Sequence, residues 1–297
     1  MSGIGKSNEK WILLAPAITV LLLITALPFI QTFGQSFTDA KITALNRPTL
    51  WIGLENYIYA LSDPYFREAI GRTLYFTITS VGLEVIIGVG VALLLNQAFR
   101  GRTLMRALII LPWAVPTIVN ALAWRLIYHP DYGALNSILL QTGLIDNYRS
   151  WLGDPKMAMN MVILADVWKN FPLIAYVALA SLQTIPGDLL KAAAVEGARP
   201  WKRFRAITLP WIMGPLMVVL ILRMIEAFRV FDIIYIMTRG GPSDSTKTAS
   251  FYVYQEYFSY LRSGSGSSYA IIIAGISAVL ILAYYAGTRQ QNSGANA

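Results

Sequence analysis

Ile185-Pro186-Gly187-Asp188-Leu189-Leu190-Lys191-Ala192-Ala193-Ala194-Val195-Glu196-Gly197-Ala198-Arg199-Pro200-Trp201-Lys202-Arg203-Phe204 lies between two long apolar runs and reads as a short helix, a turn and the start of a second helix. Pro186 and Gly187 break the preceding run, Asp188 suits the N-cap, and Gly197 suits the left-handed residue that ends a helix. Pro200 then fits the first turn of the next helix. Three alanines keep the surface low, so another protein could approach closely. The segment is built like a docking element.

The runs on either side set the class. The chain is 56% hydrophobic and 13% charged with a mean hydropathy of +0.52, well away from soluble averages. A membrane span needs about 20 mostly apolar residues. Six stretches qualify: Trp11 to Phe33, Ala69 to Gln97, Leu104 to Tyr128, Met157 to Ile185, Ala206 to Met237 and Tyr269 to Gly287. Lys6 and Lys10 ahead of the first run resemble the start of a signal peptide, but the run is too long for one and reads as a retained span. The expectation is an all-α membrane protein of six spans. It is divided into an N-terminus at 1–10, a transmembrane domain at 11–288 with a loop at 186–205, and a disordered tail at 289–297.

Charge orients the spans. Short loops rich in Lys and Arg mark the cytoplasm, and Lys6 and Lys10, then Arg100, Arg102 and Arg106, then Arg199, Lys202, Arg203 and Arg205 fill one set of connections. The other loops mix signs, as in Lys41, Arg47, Glu55, Asp63, Arg67 and Glu68. Both termini are therefore expected in the cytoplasm. The same clustering accounts for the net charge of +8 without nucleic acid.

Catalytic chemistry finds little to work with. There is no cysteine and His129 is the single histidine, which excludes thiolate sites and most metal or general-base arrangements. Gly5-Lys6-Ser7 imitates the end of a phosphate-binding loop but lacks the earlier glycine and the preceding strand. No catalytic residue, metal or cofactor is expected in this chain.

Ionisable groups at membrane depth are costly and default to functional roles. The fourth span carries Asp166 and Lys169 beside Trp168 and Asn170; the fifth carries Arg223, Glu226, Arg229 and Asp232 at three-residue intervals, so that neighbours along the helix can pair. Counted from outer ends near Met157 and Met237, Asp166 and Lys169 lie roughly 14 to 18 Å deep and Glu226 and Arg229 roughly 12 to 17 Å deep. Two antiparallel spans then offer charge at one level. Trp113, Asn120 and Trp124 of the third span are expected to form a third wall, with aromatic faces and amides suited to a sugar. Arg223 and Asp232 are read mainly as interhelical packing pairs, and Glu84 in the second span as a lone packing or gate residue. Prolines 112, 116, 172, 210 and 215 mark the third, fourth and fifth spans as candidates for breaks.

Several motifs together resemble one family, the inner-membrane permeases of sugar-type ABC importers, the group of the maltose and glycerol-phosphate importers. Its cytoplasmic signature runs Glu-Ala-Ala, three residues, Gly-Ala, then Ile-x-Leu-Pro. Here stand Lys191-Ala192-Ala193, Ala194-Val195-Glu196, Gly197-Ala198 and Ile207-Thr208-Leu209-Pro210. Leu14-Ala15-Pro16-Ala17, Ser36-Phe37-Thr38-Asp39, Gly53-Leu54-Glu55-Asn56-Tyr57, Arg106-Ala107-Leu108 through Leu111-Pro112-Trp113, Trp151-Leu152-Gly153, Leu182-Gln183-Thr184-Ile185-Pro186 and Phe231-Asp232 followed by Gly240-Gly241-Pro242 extend the likeness along the chain.

The resemblance implies a type I ABC importer permease fold in a bacterial inner membrane. Its implied partners are a sister permease in a heterodimer, two ATPase subunits holding ATP and Mg, and a periplasmic binding protein that delivers a sugar or sugar derivative. Within that reading Lys191, Ala192, Ala193, Glu196, Gly197 and Ala198 form the ATPase-coupling element, with Lys191 standing where the signature has Glu. The competing readings are a secondary transporter driven by an ion gradient, which would usually show more spans and internal repeats, and a membrane enzyme, for which a site is missing.

Overall fold

The computed structural model describes residues 5–43 and 48–294. Positions 1–4 of the expected N-terminus and 295–297 of the expected tail lie outside them. The chain is helical throughout, with α1 (Gly5–Leu21), α2 (Leu27–Gln35), α3 (Glu55–Ser62), α4 (Pro64–Asn96), α5 (Arg102–Ile109), α6 (Leu111–Ala114), α7 (Thr117–Ile127) and α8 (Ala134–Gln141) in its first half. There follow α9 (Ala158–Leu182), α10 (Gly187–Val195), α11 (Pro200–Arg203), α12 (Leu209–Phe228), α13 (Asp232–Met237), α14 (Ala249–Tyr254) and α15 (Ser263–Gly294). Among the described residues β pairing is confined to a single bridge between Thr38 and Trp51.

Five helices, running Leu13–Gln35, Pro64–Asn96, Ala158–Leu182, Pro200–Phe228 and Ser263–Leu282, are long and apolar enough to span a bilayer. Arg102–Ala114 and Thr117–Ile127, bent by 97° at their junction, are together long and apolar enough for a sixth span or a re-entrant loop. The bend falls where Val115 and Pro116 adopt extended backbone (ψ 130° and 141°), as proline at 116 demands of its predecessor. The fifth span departs from expectation. Its helix stops at Phe228, with Arg229 as C-cap, and restarts at Asp232 after a non-helical Phe231 (φ −140°). The depth count from Met237 for Glu226 and Arg229 therefore does not hold, because Glu226 sits in the last turn of α12 and Arg229 is its C-cap, neither of them midway along one helix. Backbone freed by the break is partly re-paired: Thr248 donates to the Val230 carbonyl at 3.0 Å. Pro172 and Pro215 remain inside continuous helices. At the other end α15 runs helical to Gly294, through most of the stretch 289–297 expected to be disordered.

Two compact units emerge, one from 1–67 with 252–276 and one from 68–251 with 277–297. In the first, Asp63 accepts a 2.6 Å bond from the Tyr252 hydroxyl, and Phe66 meets Tyr269 edge to face at 4.4 Å. In the second, α4, α9 and α12 pack through Ala92, Leu95, Ile174, Ala178, Leu182, Ile212 and Leu216, all buried. Small residues let these helices approach closely. At Gly88 a Cβ would lie 2.9 Å from the Ile174 Cβ, so glycine is what this contact admits.

Candidate functional site

One turn of α4, one of α9 and the last turns of α12 converge on a buried ionic junction. Residues three or four apart share a helix face, which places Ser80 with Glu84, Asp166 with Asn170, and Arg223 with Glu226. Arg223 holds Glu84 with two bonds, Nε to Oε2 at 2.9 Å and Nη2 to Oε1 at 2.8 Å. It also reaches Asp166 Oδ2 at 3.3 Å and, through Nη1, Glu226 Oε2 at 2.7 Å. Asp166 is completed by the Ser80 hydroxyl at 2.6 Å and the Asn170 amide at 2.9 Å. The Arg223 side chain is 5% exposed and that of Glu84 0%. Charges so buried persist only when paired and hydrogen-bonded, and here each is.

Glu84 is therefore a partner in an ion pair, not the lone residue expected from sequence. Arg223 pairs across helices as expected. Asp232 does not: it is exposed in the first turn of α13, with no ion pair among the described residues. Span two holds a single carboxylate and span five an arginine within the same apolar depth, and that opposite charge is the signal that could have joined them.

Above the junction opens a cleft. Its wall includes Trp113, Thr117, Asp166, Lys169, Asn170, Arg223, Glu226, Arg229 and Asp232. The bent helix pair α6–α7 borders it at Trp113 and Thr117, and the segment that follows the fifth span borders it from Arg229 to Ile233. Interrupted helices are tolerated at membrane depth where they line a cavity. The wall carries three acids, Asp166, Glu226 and Asp232, and three bases, Lys169, Arg223 and Arg229. Lys169 and Arg229 make no ion pair among the described residues.

Asn120 and Trp124 do not join this wall. Asn120 is buried and donates to the Ala165 carbonyl at 3.1 Å, and Trp124 packs against Tyr128 (5.2 Å) and edge-on to Trp168 (6.4 Å). Both hold α7 against α9. Of the eight residues expected to line a pathway, six are in the cleft.

The 186–205 loop is a second candidate site. α10 starts at Gly187 with Pro186 as N-cap, so Asp188 falls in the first turn rather than at the cap, where an acid still suits the helix dipole. Gly197 takes φ +81° and Pro200 opens α11, as the sequence predicts. Val195 is 89% and Trp201 70% exposed, and Trp201 stacks on Phe204 at 5.5 Å. Lys191 forms an exposed pair with Asp188 at 3.1 Å. Leu189, Val195 and Trp201 face outward, while Leu190 and Phe204 are half-buried.

A family model described as "Binding-protein-dependent transport system inner membrane component" matches residues 84–291. The chain is 39% identical over 274 residues to the trehalose/maltose transport system permease protein MalF of Thermococcus litoralis, covering 92% of this chain and 90% of that protein. It is 36% identical over 273 residues to the sulfoquinovosyl glycerol transport system permease protein SmoG of Agrobacterium fabrum, covering 92% and 88%. Among solved structures, a chain of a bacterial ABC transporter involved in the import of the acidic polysaccharide alginate shares the fold, with a TM-score of 0.81 and 24% identity over 95% of this chain and 96% of that one.

Proposed function

Because this chain belongs to the family of binding-protein-dependent transport system inner membrane components, we propose that it works as one of two sister permeases in an ATP-driven sugar importer. ATP and Mg are bound and used by two separate ATPase subunits, and a periplasmic binding protein delivers the substrate. An ion-gradient mechanism finds no support among the relatives.

One observation carries this reading: a single helix joins the two candidate sites. The exposed loop passes through Phe204–Thr208 directly into α12, which carries Arg223 and Glu226 into the cleft wall. From Leu209 to Arg223 is roughly 21 Å at about 1.5 Å per residue. A push on α10 and α11, both cytoplasmic, is thereby delivered to the cleft by a stiff rod, and the breaks at 115–116 and 229–231 are where the backbone gives. Val195 and Trp201 supply the apolar contact to the ATPase, and Lys191, Ala192, Ala193, Glu196, Gly197 and Ala198 shape it.

In the cleft, Glu226 accepts from sugar hydroxyls, Lys169 and Arg229 donate to ring and hydroxyl oxygens, Asn170 and Asp166 back them, and Trp113 offers a face for sugar C–H surfaces. Equal numbers of acids and bases suit an uncharged polyhydroxyl compound, in keeping with the trehalose/maltose relative.

Reconstitution tests the whole. With sister permease, ATPases and binding protein in liposomes, the chain supports ATP-dependent sugar uptake; Trp201→Ala uncouples it by weakening the ATPase contact. Uptake by the chain alone under a proton or sodium gradient overturns the assignment. Unchanged uptake and unchanged sugar-stimulated ATPase activity in both Lys169→Ala and Glu226→Ala removes the cleft from the pathway.

A further inference from the structure

Helix α3 is built inside out. Its inward face joins the buried Ala60 to two polar side chains: Asn56 donates through its amide to the carbonyls of Ser36 and Thr38, both at 2.9 Å, and the Tyr57 hydroxyl lies 2.6 Å from that of Ser36. Its outward stripe is apolar, with Leu54, Ile58 and Leu61 exposed at 60%, 66% and 56%. A helix facing water shows the opposite arrangement. Glu55 and Ser62, seven residues apart and both exposed, form a separate polar stripe. The helix thus has three faces, one turned to protein, one apolar and one polar.

Its height in the membrane follows from what it is tied to. α2 ends the first span at Gln35, and the atoms that anchor α3 belong to Ser36 and Thr38. The basic N-terminus puts this end of the span on the outer side. Exposed aromatics cluster at the same level: Trp51, stacked on Phe37 at 5.2 Å, with Tyr59 and Tyr65. Tryptophan and tyrosine collect where hydrocarbon meets headgroups. The apolar surface of the first span, with Phe29, Ile30 and Phe33 exposed, leads up to this point.

We propose that α3 is an interfacial helix, with Leu54, Ile58 and Leu61 inserted among the phospholipids of the outer leaflet and Glu55 and Ser62 turned to the periplasm. It anchors the outer end of the first span at a fixed height. The inference requires that the chain spans the membrane with its basic N-terminus inside, and is independent of the sugar assignment.

The absence of cysteine makes the test direct. Nitroxide labels are placed singly at Ile58→Cys, Leu61→Cys and Ser62→Cys in the assembled transporter, with reactive cysteines of the other subunits replaced, in phospholipid nanodiscs. Labels at 58 and 61 should collide more with oxygen than with a water-soluble nickel chelate, and the label at 62 should show the reverse. Nickel collisions dominating at 58 and 61 overturn the proposal in favour of a water-facing helix. Immobile labels shielded from both reagents overturn it in favour of a surface covered by the sister permease or the binding protein.

Discussion

The ionic junction on Arg223 and the loop from Gly187 to Arg203 both depend on charged residues, yet the charges do different work. In the junction, burial makes every charge conditional on the others: Glu84 is sealed from solvent, and Arg223 answers three carboxylates from three helices. In the loop, Lys191 and Asp188 meet at a similar distance but in water, where such a pair adds little to stability. A charge inside the membrane protein fixes structure; the same charge on the loop is free to serve recognition.

Four substitutions probe that contrast. Arg223→Met leaves Glu84 buried without a counter-ion, held only by the Ser80 hydroxyl at 3.2 Å, and should cost about 3–5 kcal/mol, seen as a large fall in the thermal midpoint of the purified complex and in its yield. An unchanged midpoint would erase the distinction between the two regions. Gly88→Ala, which adds no charge, should cost about 1–3 kcal/mol by overpacking, because its Cβ lands 2.9 Å from that of Ile174. Recovery in Gly88→Ala with Ile174→Ala would show that helix packing holds the junction's geometry. Glu226→Gln tests the rim, where the side chain is exposed but still bonded to Arg223. The midpoint should hardly move, while the half-saturating sugar concentration for uptake rises several-fold. Lys191→Glu restores the residue of the family signature and should leave stability unaltered. Its effect should be confined to ATP consumed per sugar moved, measured in proteoliposomes.

The spans were legible because hydrophobic length is a strong signal, and the 186–205 loop because proline, glycine and alanine each constrain the backbone locally. Pro116 correctly marked the bend in the third span. Proline misled elsewhere: Pro172 and Pro215 sit in unbroken helices, while the fifth span breaks at Arg229–Phe231 with neither proline nor glycine there. That break is accompanied by a tertiary contact, the Thr248 hydroxyl on the Val230 carbonyl, which no local pattern reveals. Most of the cleft was readable from ionisable residues at membrane depth. Glu84 was misjudged because its partner lies far away in sequence, and Asn120 and Trp124 because spacing places a residue on a face without saying which neighbour that face meets.

That separation has a consequence for how the protein is made. Glu84 and Arg223 are 139 residues apart. At roughly 5–20 residues per second, α4 emerges from the ribosome roughly 7–28 s before its counter-ion. For that interval the second span carries a carboxyl group without its native counter-ion, and its insertion rests on the leucines, isoleucines and valines around it. A nascent chain stalled before residue 223 should accordingly be a preferred target of membrane quality-control proteases, and one stalled well after α12 should escape them.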